Sequence, residues 1–159
     1  MKRDDSQGPR NAQSPPGEIV RFTAKDGLQL VAEHHPLPNP RGRVFILHGL
    51  AEHLRRYNNV VDELTGAGYA CHLFDLRGHG RSEGTRGHVS RFSDYQNDLD
   101  VFVKETTGQS SRATEESDQQ GTRVERGHKV PLFIFGHSLG GLIALNYVLH
   151  PPQVFVALA

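Results

Sequence analysis

The fold is decided by the stretch PLFIFGHSLGGLIALNYVLH, residues 131–150. Its first five residues form a short apolar run, which is typical of a strand buried on both faces of a parallel sheet. An apolar helix is predicted from Leu139 to about His150, where a Pro-Pro pair ends it. Gly136-His137-Ser138-Leu139-Gly140 therefore places a G-x-S-x-G motif at a strand–turn–helix junction.

This junction predicts a nucleophile elbow with Ser138 as the nucleophile. Gly136 and Gly140 allow a tight turn that lifts the serine hydroxyl above the edge of the sheet. The N-terminus of the following helix adds positive potential where an oxyanion would develop. The alternative is a capping serine in a glycine-rich turn without a catalytic role.

A second element follows the apolar run Val44–Leu47, which also predicts a buried parallel strand. The next residues are His48-Gly49-Leu50, at the position where a fold with a nucleophile elbow places an oxyanion donor. We expect the backbone N–H groups of Leu50 and Leu139 to form the oxyanion hole. His48 and Gly49 would support this loop, although an ordinary glycine turn is the alternative.

The remaining patterns predict an α/β protein with a mostly parallel sheet. Alternating residues on both sides of Asp26-Gly27 predict a hairpin, and Tyr69–Leu76 predicts another buried strand. One helix is predicted around residues 57–64, and a second is predicted to follow a capping Ser93. Its apolar face consists of Leu99, Phe102 and Val103. Strands and helices in alternation favour right-handed crossovers between parallel strands.

Two polar stretches interrupt this order. Residues 1–17 are charged and rich in Pro, Gly, Gln and Ser, and we expect a disordered tail. Residues 106–129 contain no aromatic side chain and one large aliphatic, Val124, which predicts a disordered insertion within a partial domain spanning residues 18–159. The polar composition offers almost nothing to a core.

Composition excludes several classes of function. The chain has 159 residues and a formal net charge of zero, so nothing favours binding to nucleic acid or to anionic membranes. Cys71, the only cysteine, lies in an apolar run and is expected in the core. The sequence shows neither a signal region nor an apolar run long enough to span a membrane, which predicts a cytoplasmic protein.

Three motif groups carry a family resemblance: Leu47–His53 with Arg56-Tyr57, Asp75–Gly84, and Gly136–Gly141. Together they resemble the monoacylglycerol lipase and lysophospholipase group of α/β-hydrolases. The resemblance implies an α/β-hydrolase fold, here truncated after the start of its sixth strand and lacking the family's helical lid. It implies a serine hydrolase that cleaves acyl esters, with a monoacylglycerol or lysophospholipid as substrate and no metal or organic cofactor. Peripheral membrane contact is possible in the full-length protein.

The histidines outside the elbow show no metal-ligand spacing such as H-E-x-x-H. We interpret His48, His53 and His79 as loop residues that make hydrogen bonds around the site. Asp75, at the end of its strand, is interpreted as a loop brace and not as a member of a triad.

The triad of this fold runs Ser, then Asp or Glu, then His. No acidic residue follows Ser138, and the only later histidine, His150, lies roughly 18 Å along the same helix. We therefore expect this chain to be a fragment that is inactive or nearly so by itself. The alternatives are an acyltransferase or serine aminopeptidase on the same fold, or a non-catalytic binding module.

Overall fold

The computed structural model describes residues 17–108 and 130–149, together with the strand Ala157–Leu158. Residues 1–16 of the predicted N-terminal tail and most of the predicted insertion lie outside the described residues. The first two residues of that insertion are helical instead, because Thr106 and Thr107 close the last turn of a helix. Their hydroxyls donate to the carbonyls of Phe102 and Val103 at 2.7 and 2.8 Å.

The predicted strands and helices are all found within the described part of the chain. A 3-10 helix, Leu54–Tyr57, leads directly into the first α-helix. The elements in chain order are β1 Glu18–Thr23, β2 Gln29–His35, β3 Gly42–Leu47, α1 Asn58–Gly66, β4 Tyr69–Phe74, α2 Phe92–Thr107, β5 Leu132–Gly136, α3 Leu139–Leu149 and β6 Ala157–Leu158.

The strands form one mixed sheet in the order β1-β2-β4-β3-β5-β6. The pairs β4–β3, β3–β5 and β5–β6 are parallel, as a truncated α/β-hydrolase fold requires. The hairpin β1–β2 is antiparallel and joins the sheet at β4, also antiparallel. Gly27 lies in the hairpin turn with φ 91°, a backbone conformation that favours glycine.

The sheet is covered on both faces. Helices α2 and α3 pack on one face, where their apolar side chains join those of β2, β3 and β5 in the larger core. Helix α1 and the 3-10 helix cover the other face, and Cys71 is fully buried there, as predicted. Burial on both faces explains why β3 and β4 appear as continuous apolar runs.

The start of α2 differs from the sequence prediction. Ser93 does not cap the helix, which begins at Phe92 with Arg91 preceding it. The Arg91 N–H instead donates to the carboxylate of Asp94 at 3.2 Å. A carboxylate in the first turn also interacts favourably with the helix dipole. The predicted apolar face of α2 is buried as expected.

The topology brings three loops to one edge of the sheet. Because β3, β4 and β5 are parallel, the loops that follow them all lie at their common carboxyl edge. These loops carry His48–Leu50, the segment from Asp75 to Ser90, and Ser138 respectively. No helix in the described part of the chain is both long and apolar enough to cross a bilayer.

A histidine pair lies between the sheet and α2. His34 and His72 are cross-strand partners, and their Nδ1 atoms are 2.9 Å apart. The His34 ring stacks on Phe102, and the His72 ring lies against Phe45. Burial lowers the pKa of both rings, and lowers that of His72 to about 3, with the neighbouring His34 and Arg43 adding to the effect. Both rings are therefore neutral in the folded protein at neutral pH.

We expect this pair to make the fold sensitive to acid. In the unfolded chain both histidines take up a proton near pH 6.5, whereas the folded state resists protonation of His72 down to about pH 3. The unfolded state thus binds more protons, and the free energy of unfolding falls as pH drops below 6.5. The free energy of unfolding falls by up to about 1.4 kcal/mol per pH unit for each histidine.

Urea denaturation at pH 7.5, 6.5 and 5.5 measures this effect. His72→Gln keeps a hydrogen-bonding side chain that does not titrate, so it should flatten the dependence relative to the parent. His88→Gln, at an exposed loop histidine, should leave it unchanged. Equal slopes in the parent and His72→Gln would contradict the assignment.

Candidate active site

Ser138 lies between the end of β5 and the start of α3, as the sequence predicts. Its φ is 53°, a left-handed conformation that is costly for a residue other than glycine. Three backbone hydrogen bonds define the turn: His137 N–H donates to Leu47, Gly140 N–H to His137, and Leu142 N–H to Ser138. The serine is exposed, so this turn presents its side chain to solvent at the carboxyl edge.

The glycines of the motif are required by close backbone contacts. A Cβ on Gly140 would lie 2.3 Å from the carbonyl oxygen of Leu47, at the end of β3. A Cβ on Gly136 would lie 2.5 Å from the carbonyl oxygen of Gly140. Neither contact is sterically possible, so the G-x-S-x-G spacing reflects how closely α3 approaches β3 and β5.

The loop after β3 touches the elbow directly. A Cβ on Gly49 would lie 3.3 Å from Cβ of Ser138 and 3.0 Å from Nδ1 of His137. The next residue, Leu50, has an exposed side chain. Neither the N–H of Leu50 nor that of Leu139 has an acceptor among the described residues. The structure thus brings the predicted loop and the predicted serine together, with two unpaired N–H groups beside them.

Glu52 links this loop to the elbow, a role that the sequence analysis missed. Its Oε2 accepts the Gly49 N–H at 2.9 Å and the Tyr57 hydroxyl at 2.8 Å. The same atom lies 3.4 Å from Nδ1 of His137, and Oε1 lies 3.2 Å from Nε of Arg56. One carboxylate therefore holds the loop, the 3-10 helix and the residue before Ser138.

Glu52 is ionised at neutral pH. The Gly49 N–H and the Tyr57 hydroxyl, both donated to its carboxylate, lower the pKa of Glu52 to about 2. Burial, followed by the same contact, raises the pKa of Tyr57 to about 12. The only signal in the sequence was the position of Glu52 within the motif Leu47–His53, which carries no information about its contacts.

Two of the three predicted loop histidines brace the site. Nδ1 of His48 lies 2.8 Å from the Gly49 carbonyl, and Nε2 accepts the Leu76 N–H at 3.0 Å, which fixes the neutral Nδ1–H tautomer. Nδ1 of His79 lies 2.9 Å from the Arg77 carbonyl. The His53 ring makes no hydrogen bond among the described residues, so its role stays a prediction.

Asp75 braces the loop after β4, as predicted. Its Oδ1 accepts the Leu54 N–H and its Oδ2 accepts the Arg81 N–H, both at 2.8 Å. A Cβ on Gly80 would collide with this carboxylate at 2.1 Å. Both oxygens are thus occupied and the side chain is enclosed, which fits a structural role.

Arg77, in the same loop, forms the shortest ion pairs of the described residues. Its guanidinium donates two hydrogen bonds of 2.7 Å to Asp98 of α2. It also donates to Asp26 of the hairpin turn at 2.7 and 3.3 Å. Asp98 is fully buried, so its charge is tolerated only because Arg77 compensates it. These bonds tie the loop, the hairpin and α2 together.

The family profile described as serine aminopeptidase, S33 (Hydrolase_4) matches residues 38–159. The chain belongs to this family of α/β-hydrolases.

No group of three or more His, Cys, Asp or Glu in the described part of the chain could hold a metal ion.

Several relatives are lipases. A monoacylglycerol lipase of Mycolicibacterium smegmatis is 30% identical over 86% of this chain and 43% of its own length. A phospholipase of Bacillus subtilis is 28% identical over 69% of this chain and 35% of its own. The chain thus spans less than half the length of the curated relatives it matches.

Solved structures show the same fold. The monoglyceride lipase of Saccharomyces cerevisiae superposes with a TM-score of 0.68 at 29% identity, over 88% of this chain and 41% of that one. A carboxyl esterase of Bacillus coagulans superposes with a TM-score of 0.70 at 23% identity, over 91% and 43%.

The close contact at Gly140 leads to the first prediction for the site. Gly140→Ala should destabilise the fold by about 1–3 kcal/mol, because its methyl group would push α3 away from β3. Gly141→Ala is the matched control, since its added Cβ would lie 3.1 Å from the Gly136 carbonyl oxygen and a helical alanine regains about 0.5–1 kcal/mol. Thermal denaturation of both variants measures the difference. Equal melting temperatures would argue against the packing described for the elbow.

The Glu52 contacts lead to a second prediction for the site. Glu52→Gln removes the charge that accepts two hydrogen bonds, and we expect it to cost about 1–3 kcal/mol at pH 7. The difference from the parent should disappear as pH falls from 4.5 towards 2, because the parent carboxylate is then protonated too. Glu63→Gln, on the exposed side of α1, is the control. If Glu52→Gln lowered the free energy of unfolding equally at every pH, the charge of Glu52 would not be the cause of the loss.

Proposed function

We propose that this protein is a serine hydrolase that cleaves acyl esters, with Ser138 as its nucleophile. The carrying observation is the left-handed turn at Ser138, which exposes the side chain beside the loop His48–Leu50. Strain of this kind persists only where the surrounding structure enforces it, and it concentrates at functional sites. The contact between Gly49 and the elbow supports the same role.

The N–H groups of Leu50 and Leu139 would form the oxyanion hole. The Ser138 hydroxyl attacks the ester carbonyl, and its proton passes to a general base and then to the leaving alcohol. The two N–H groups stabilise the negative charge on the carbonyl oxygen of the tetrahedral intermediate. Water then attacks the acyl-enzyme, which releases the acid and restores the serine. The reaction as proposed uses no metal or organic cofactor.

The general base and the triad acid come from outside these residues in this proposal. No acidic residue follows Ser138, and His150 lies outside the described residues. Both ring nitrogens of His48 are engaged, and His79 is buried with its Nδ1 at the Arg77 carbonyl. His48 therefore has no nitrogen free to accept the Ser138 proton, and the free Nε2 of His79 is buried and makes no hydrogen bond to Ser138. The 159 residues by themselves are therefore expected to hydrolyse esters slowly or not at all.

The substrate class comes from the named relatives. A monoacylglycerol lipase and a phospholipase both match this chain, which favours a monoacylglycerol or a lysophospholipid. Cytoplasmic location and peripheral membrane contact stay predictions.

The second candidate function is that of an aminopeptidase, which the description of the family favours. Hydrolysis of aminoacyl p-nitroanilides, without hydrolysis of monoacylglycerols, would identify it. An acyltransferase or a binding module has no specific observation in its favour.

Activity assays test the proposal. The purified 159-residue chain should show little or no hydrolysis of short p-nitrophenyl esters, because a serine hydroxyl without a base is a weak nucleophile. A longer protein that adds a downstream segment with the acid and histidine should hydrolyse them, and Ser138→Ala should abolish this activity. Ser110→Ala, in the polar stretch, is the control. Strong Ser138-dependent activity of the 159-residue chain alone would refute the placement of the base.

A further inference from the structure

A small hollow lies at the carboxyl edge between the 3-10 helix and the loop after β4. Its volume is about 210 Å³, and it is lined by His53, Leu54, Arg55, Asp75, Gly80 and Arg81. We refer to it as the Arg55–Arg81 hollow. The proposed reaction uses none of its side chains.

The two arginines of this hollow lack close partners. Arg81 has no acceptor for its guanidinium among the described residues, and its backbone N–H alone is bound, to Asp75. Arg55 has only a long contact, 3.8 Å from its Nε to the buried carboxylate of Glu33. By contrast, Arg77 and Arg56 in the same loops each contact a carboxylate oxygen within 3.2 Å. Both arginines line the same hollow, and an anion bound there would offset the repulsion between two like charges.

One carboxylate lies on the wall of the hollow, and backbone donors already engage it. Asp75 is buried, and each of its oxygens already accepts a backbone N–H. Among the lining residues the two guanidinium groups outnumber it, and a second carboxylate, that of Glu33, lies outside the lining at 3.8 Å from Nε of Arg55. The exposed His53 ring adds a further hydrogen-bond donor at the rim.

The hollow lies close enough to the elbow to receive part of one substrate. Strand β4 is separated from β5 only by β3. Adjacent strands lie about 4.8 Å apart, so the two loops are separated by roughly 10 Å. A group on the alcohol side of an ester bound at Ser138 could span this distance.

We propose that the Arg55–Arg81 hollow binds a phosphate group, held by the two guanidinium groups. Arginine matches the oxygens of phosphate with paired N–H donors and stays charged at all relevant pH values. A lysophospholipid head group and free inorganic phosphate share this chemistry. Assignment to the head group rests on the proposed function, and it selects a phosphate-bearing ester over a neutral monoacylglycerol.

Phosphate binding to the 159-residue chain tests the site without any turnover. Inorganic phosphate is titrated against chloride at constant ionic strength, while the arginine Nε–H resonances are followed by NMR. We expect saturable shifts for Arg55 and Arg81. The double variant Arg55→Gln/Arg81→Gln should weaken binding by about tenfold or more, since two charge-assisted contacts are lost. Arg86→Gln, at an exposed arginine of the same loop that lines a different hollow, should change it by less than about twofold.

A competition arm identifies the source of the phosphate. A short-chain lysophosphatidylcholine below its micelle concentration should displace inorganic phosphate, whereas the monoacylglycerol of equal chain length should not. Displacement by neither lipid would keep the phosphate site and overturn its assignment to the head group. Absence of saturable binding, or equal weakening by Arg86→Gln, would overturn the site itself. A backbone NMR spectrum of each variant establishes that it folds.

Discussion

The approach of α3 to the end of β3 is the constraint on which the site depends. Gly140 lies so close to the Leu47 carbonyl that no side chain fits between them. This contact sets the turn at Ser138 and places it beside Gly49, because both loops leave parallel neighbouring strands. A catalytic serine needs its oxyanion donors within about 3 Å of the reacting oxygen, so small displacements of α3 would be costly for the proposed reaction.

Buried polar groups fix the loops around this contact. Arg77 joins the loop after β4 to α2 and to the hairpin, and Asp75 holds that loop against the 3-10 helix. Glu52 connects the 3-10 helix and the loop after β3 to the elbow. Each carboxylate is stabilised by several N–H or O–H donors, which offset the cost of removing the charge from water. The carboxyl edge is thus held by charge-assisted hydrogen bonds as well as by apolar packing.

The arginines at this edge differ in how closely they are paired with carboxylates. The difference distinguishes a structural role from a role in binding a ligand. Arg77 is buried and fully paired, and its loss would leave Asp98 as an uncompensated buried charge. Arg55 and Arg81 are exposed and lack a close carboxylate among the described residues. Residues of this second kind add little to stability. They are available to bind a ligand, which is the physical basis for placing a phosphate group between them.

The sequence by itself determined the order of strands and helices, the parallel sheet and the position of Ser138. Those features follow from local patterns: apolar runs between glycines and prolines, and a G-x-S-x-G motif at the junction of two of them. The cap of α2 was mispredicted, because Ser93 lies inside the helix and the neighbouring Asp94 accepts the Arg91 N–H. Only the tertiary structure decided the contacts of Glu52, the pairing of Arg77 and the hollow beside Arg81. Each of these joins residues from separate loops, and spacing along the chain does not reveal which loops the sheet brings together.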